Sequence, residues 1–229
     1  MDDRSGGASA LLGMDGFVVL SATEDGEELW LLVETKDTVV GCVTGGVRAV
    51  GHGRSEIQVR DLPIAGRAVR LVWRKRRWLC RDRDCPTKSF TEASELVEGC
   101  LTRRAAREIC RLVGEEGHSV ASVARAFGVG WHGAWAAVCR HGRPLVDDAR
   151  RLHGVRALGV DEHKMLAAGP THHTVYATQL VDIDRHVLLD VVLNRSAASV
   201  STWLAARTRY FCDHIEVAAI DPMPGTSRH

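Results

Sequence analysis

The chain has 229 residues, 45% of them hydrophobic and 26% charged, with a formal net charge of +1. That composition excludes wholesale disorder and suits one large domain or two to three small ones. No uncharged apolar run approaches the roughly 18–20 residues of a membrane helix, and the opening MDDRSGGASA is too acidic for a secretory signal.

The expected setting is therefore the cytoplasm, away from membranes, where thiols stay reduced. Seven cysteines there point to metal ligands or buried thiols. The near-zero total charge hides a gradient. Residues 1–37 carry net −7, while residues 67–111 carry net +7. A local positive field of that size attracts phosphates.

Residues 1–37 read as an acidic segment, with a loose leader followed by a hairpin of the apolar runs FVVLSAT and ELWLLVET around the turn EDGE. Residues 38–92 read as a small β-rich module of short strands, with turns at Gly51–Gly53 and Pro63–Gly66. Residues 93–150 turn helical: Leu101, Ala105, Ile109 and Leu112 recur at helical spacing. From 151 to 229 the pattern is strand-like again in RALGVDEHKML, THHTVYATQLVDI and RHVLLDVVL. A helix capped by Ser196 and the apolar strand IEVAAID follow. The fold class is α+β, in several domains.

Cys80 and Cys85 form a close pair, preceded at a distance by Cys42. Structural zinc takes four Cys or His ligands, usually as two close pairs on knuckles. Here Gly45 stands where a Cys-x-x-Cys knuckle would place its second thiolate, and His52 is a substitute whose spacing demands nothing. The plainer reading makes Cys42, Cys80 and Cys85 small buried residues. Cys100, Cys110, Cys139 and Cys212 read as core thiols.

Arg74, Lys75, Arg76 and Arg77 lie between Trp73 and Trp78. Strand alternation keeps both tryptophans from being core together, so an aromatic among cations would suit a phosphate backbone. The alternative is a solvated edge strand blunted by charge.

From Ser119 to Trp135 the sequence has the rhythm of a helix–turn–helix. Ala124 is small where helices cross, Gly128 follows four later where the chain turns, and Val129 plugs the core. The second helix, about 131–141, offers Trp131, His132, Trp135 and Arg140 to a major groove, with Arg125 on the first helix. An ordinary helical hairpin is the competing reading.

Asp161 ends LGV, and Asp221 ends IEVAAI. Two acids at the ends of neighbouring strands can share divalent ions, although an Asp after an apolar strand is also a common turn residue. Glu162 should face away from Asp161, and His163, His172 and His173 read as loop residues.

Taken in order, GCVTGGVRAVGHGR, RDLPIAGRAVRLVWRKRRWLCRDRDCPTKSFTE, the helical pair at 119–141, LGVDEHKM and VAAIDP resemble an insertion-sequence transposase of the ISL3 family. The resemblance covers about residues 38–222. It implies a zinc-finger-like module at 38–92 and a helix–turn–helix at 93–150. Over 151–229 it implies an incomplete ribonuclease-H-like DDE domain, with Asp161 on the first strand and Asp221 after the fourth. It further implies Zn2+ at Cys42, Cys80 and Cys85, Mg2+ at Asp161 and Asp221, and double-stranded DNA, the terminal inverted repeats, as the partner. A full-length transposase copy or a homo-oligomer is a further expected partner.

Two departures stand out. Gly45 replaces a knuckle cysteine, and the third acid of a DDE domain, a Glu on a later helix, is absent from the sequence, whose ending PMPGTSRH does not resemble the family. The expectation is a transposase truncated before that acid, by frameshift, deletion or premature stop. Such a chain binds element ends without cutting them, or acts as a DNA-binding regulator that inhibits transposition.

Overall fold

Alternating apolar residues and two tight glycine turns make the first half of the chain a sheet of hairpins. The structure is a computed structural model and describes residues 9, 12–36 and 38–220. It divides into two compact units between Leu145 and Val146.

In the first unit, β1 (Phe17–Asp25) and β2 (Glu28–Thr35) form the expected hairpin across Gly26, whose φ of 58° suits glycine. β3 (Val50–Ile64) and β4 (Arg67–Leu79) form a second, longer hairpin. The turn expected at 51–53 is instead a register shift between Gly51 and Arg54, inside one continuous strand pair. β5 (Ser89–Thr91), β6 (Val97–Glu98) and β7 (Leu101–Thr102) complete a sheet ordered β1-β2-β4-β3-β7-β6, with β5 on β4. Because β2 pairs in parallel with Ala68–Trp73 of β4, the acidic segment shares this sheet with the 38–92 region and does not stand apart from it.

One face of the sheet buries Phe17, Val19, Leu31, Val33, Val59, Val69, Leu71 and Trp73. Phe17 meets Trp73 edge to face, ring centroids 5.2 Å apart, a favoured aromatic geometry. The other face carries ion pairs. Glu28 lies 2.8 Å from Arg60 and 2.9 Å from Arg70, and Glu34 lies 2.9 Å from Arg54. Arg60 and Arg70 beside Glu28 hold its carboxyl below its usual value.

Three helices follow: α1 (Arg103–Gly114), α2 (Val120–Ala126) and α3 (Trp131–Val146). Thr102 caps α1 by accepting the Ala105 N–H, and Ser119 caps α2 by accepting that of Ser122. Their core uses small residues: Ala105, Ala106, Ala124, Ala134 and Ala137 around Ile109 and Phe127. Gly128, between α2 and α3, has φ 63°, and a Cβ there would lie 3.2 Å from the Ala68 Cβ and 2.9 Å from the Arg60 guanidinium. Glycine is what lets this turn sit on the sheet.

The second unit has β8 (Ala157–Leu166), β9 (Val175–Asp182), β10 (Val187–Leu193), α4 (Ala197–Ala205), α5 (Arg209–Asp213) and β11 (Val217–Ile220). Its sheet is ordered β10-β9-β8-β11, antiparallel except that β11 runs parallel to β8. Ser196 caps α4, as its sequence position suggests. Trp203 and Phe211 meet edge to face and share a core with Val155, Leu158, Val160, Leu180 and Leu189. The architecture is α+β with two sheets.

Sheet and helices of the first unit are joined at Asp61, which is fully buried. It accepts the Thr102 hydroxyl at 2.6 Å and the Arg104 Nε at 2.8 Å. Removing one partner of a buried ionic network costs about 3 kcal/mol or more. Asp61→Ala should therefore lower stability by roughly that amount, read as a fall in the denaturation midpoint. Glu24→Ala, at the exposed pair with Arg67, should shift stability by less than about 1 kcal/mol.

Candidate functional site

The β3–β4 hairpin builds a thiol cluster at its open end. Val50 pairs with Leu79, so the chain entering β3 and the chain leaving β4 lie side by side, bringing Cys42 next to Cys80 and Cys85. The Sγ atoms of these three all lie within 4.8 Å of one another, and all three residues are buried. Two thiolates each about 2.3 Å from a tetrahedral zinc stand about 3.8 Å apart; Cys42 and Cys85 are 3.7 Å apart. The Gly45 N–H, 3.4 Å from the Cys42 sulfur, holds that thiol below its usual value. Burial pushes Cys80 up to about 11. Three thiols this close cannot all ionise without a cation among them, which is what a zinc ion supplies.

Among the described residues no His, Asp or Glu joins this group, so His52, exposed on β3, is not the substitute ligand. Of the other cysteines, Cys110 is buried as expected, but Cys100 and Cys212 are exposed and are not core thiols.

The basic strand separates into different roles. Arg76 is buried; its guanidinium donates to the Thr35 and Lys36 carbonyls and lies 3.8 Å from Glu34. It ties β4 to β2 and is not presented to a phosphate. Arg74 lies 3.5 Å from Glu34 and 3.7 Å from Glu56. Lys75 sits 4.8 Å from the ring centroid of Trp73, which is core, while Trp78 is half-buried opposite Phe90. Of the four cations, Arg77 is exposed.

On the helical pair, Ala124 is buried at the crossing and the Val129 N–H donates to its carbonyl at 2.9 Å. Trp131 and Trp135 are 46% and 44% exposed and stack on each other, centroids 5.9 Å apart and planes 26° from parallel. Neither is core. His132 meets Trp131 edge on, and Arg125 is exposed at the end of α2. Arg140 is also exposed, 3.6 Å from Glu98.

In the second unit, Asp161 borders a cleft of about 530 Å³, with Glu162, Thr178, Arg195, Ser201 and Ile220. Glu162, expected to face away, lines the same cleft. Asp221 lies outside the described residues; Ile220, the residue before it, pairs with Val160, the residue before Asp161. Arg195 was not evident from sequence. Asn194, at φ 71°, turns the chain so that Arg195 lies over the Tyr176 ring at 4.1 Å. The signal available was an Asn-Arg pair directly before a helix cap. Among the described residues, His163, His172 and His173 form no metal-binding group.

A buried trio of thiols held between two chain segments is the arrangement of a zinc-binding module. Residues 42–85, beginning and ending on clustered cysteines, match the zinc-finger of transposase IS204/IS1001/IS1096/IS1165, and residues 158–226 match the ISL3 DDE transposase. Both matches are to modules of ISL3 transposases, and together they support an ISL3-family transposase. No curated protein and no solved structure matches it.

Metal uptake by these thiols releases protons, so zinc affinity should fall as pH is lowered. Cys42→Ser should reduce bound zinc from about one per chain to near none, measured by metal analysis after gel filtration. Zinc retained by Cys42→Ser at full stoichiometry contradicts the assignment.

Proposed function

We propose that this chain recognises double-stranded DNA at the terminal inverted repeats of its own element, as a cytoplasmic protein of transposition. The observation that carries this is the exposed Trp131–Trp135 stack at the start of α3, flanked by His132, in a capped helical pair. Two apolar rings left in water on a helix that follows a glycine turn favour a helix–turn–helix reader over a hairpin packed for stability alone. Arg125, Arg140, Arg77 and Lys75 would contact the phosphate backbone.

The strand order of the second unit, an antiparallel hairpin beside a central strand with a parallel fourth strand, supports a ribonuclease-H-like reading. Val160 and Ile220 pair directly, and each is followed in sequence by an aspartate, which favours Asp161 and Asp221 as oxygen ligands for Mg2+. When bound, that ion would activate a water or 3′ hydroxyl and stabilise a leaving oxygen. Two acids are one fewer than the family's three. A polypeptide of these 229 residues is thus expected to bind ends without cutting them. Bound in that way, it would inhibit or assist a full-length copy, or pair with a second copy of itself.

Fluorescence anisotropy with duplexes from the flanks of the gene, against a scrambled duplex, tests this. Affinity should fall steeply between about 50 and 200 mM salt as counterions are released. Trp131→Ala should cost about tenfold on the flank duplex, since a good base contact is worth roughly 1–3 kcal/mol. Arg77→Ala should weaken both duplexes alike. Equal, salt-insensitive binding of both duplexes overturns the proposal.

A further inference from the structure

The turn that carries Cys42 is built as a metal knuckle in all but one position. The Gly46 N–H donates to the Cys42 carbonyl at 2.8 Å, and the Cys42 N–H donates to Val47 at 2.9 Å. The Gly45 N–H approaches the Cys42 sulfur. What is missing is a side chain. A Cβ built on Gly45 would lie 3.1 Å from the Cys85 sulfur and 3.2 Å from the Cys80 sulfur, so Gly45 marks the fourth corner around the thiols. Zinc takes four ligands in structural sites, and among the described residues none besides the three cysteines is placed to donate. The corner faces outward: Gly45 is half-buried, while Val43, Thr44 and Gly46 are exposed.

We propose that Cys42, Cys80 and Cys85 make a three-thiolate zinc site whose fourth corner, at Gly45, is a binding position for a small external thiol. A site with three protein ligands keeps its fourth position open to exchange, and thiolate is the donor that matches the other three. Three thiolates leave the loaded site with a net negative charge. Arg48, Arg81, Arg83 and Lys88 on the two knuckles, against Asp82 and Asp84, favour a further anion. The exchange needs no oxidant. With zinc held by the three cysteines, an entering thiol would give its proton to the buffer as its sulfur took the fourth corner in exchange for a solvent ligand. This inference rests on the zinc-finger assignment and is independent of DNA binding.

The test uses the full 229-residue chain loaded with Co2+ and titrated with 2-mercaptoethanol. The thiolate-to-metal absorption should rise saturably by about a third, as three sulfurs become four. Gly45 has an ordinary backbone conformation, so Gly45→Cys requires the sulfurs to move by only a few tenths of an ångström. That variant should show the four-sulfur spectrum without added thiol, fail to respond to it, and bind zinc at least about tenfold more tightly. A wild-type spectrum indifferent to the thiol, one already of four-sulfur intensity, or a chain that binds neither Co2+ nor Zn2+ would overturn it. Should Gly45→Cys misfold, the wild-type titration alone decides.

Discussion

A single buried carboxylate organises the first unit. Asp61 has no contact with water, and an ion in that position must be matched by donors or it unfolds its surroundings. The donors come from one short stretch: Thr102, which also caps α1, and Arg104, which also reaches the Gly13 carbonyl. The helix start is thereby fixed to the C-terminal part of β3. From α1 outward the alanine-rich core sets α2 and α3. Gly128 then lets their turn rest against Arg60 and Ala68. The Trp131–Trp135 stack is presented at the far end of this chain of constraints.

Charge follows the same logic. The basic block, read along the sequence, is a field awaiting phosphates. In the fold, β2 lays Glu28 and Glu34 across Arg54, Arg60, Arg70 and Arg74, and Arg76 is drawn inside. The part of that charge carried by Arg67, Arg70, Arg74 and Arg76 is paired within the sheet. Of the four cations on the strand, Arg77 stays exposed, and Arg125 and Arg140 are exposed on the helices.

Local signals were legible. The hairpin at 17–35, the cap at Ser196 and the turn at Gly128 all follow from residue types at fixed offsets. The thiol trio was legible as candidates, because Cys80 and Cys85 are near neighbours and Cys42 belongs to a recognisable knuckle. The parallel pairing of β2 with β4 was not. It joins residues some forty apart, and nothing in either strand names its neighbour. Without it Arg76 reads as a phosphate ligand. The bulge at Gly51–Arg54 was misread for a related reason, since glycines that allow a turn also allow a strand to shift register. Arg195 was hidden because its place in the cleft depends on the left-handed turn at Asn194.

The central claim is that the exposed face at the start of α3 is where DNA is held. Hydrogen–deuterium exchange of the 229-residue chain, with and without a duplex from the gene's flank, tests it most directly. The account predicts slowed exchange concentrated over residues 119–141. Bound duplex with unchanged exchange there, and protection elsewhere, would contradict it.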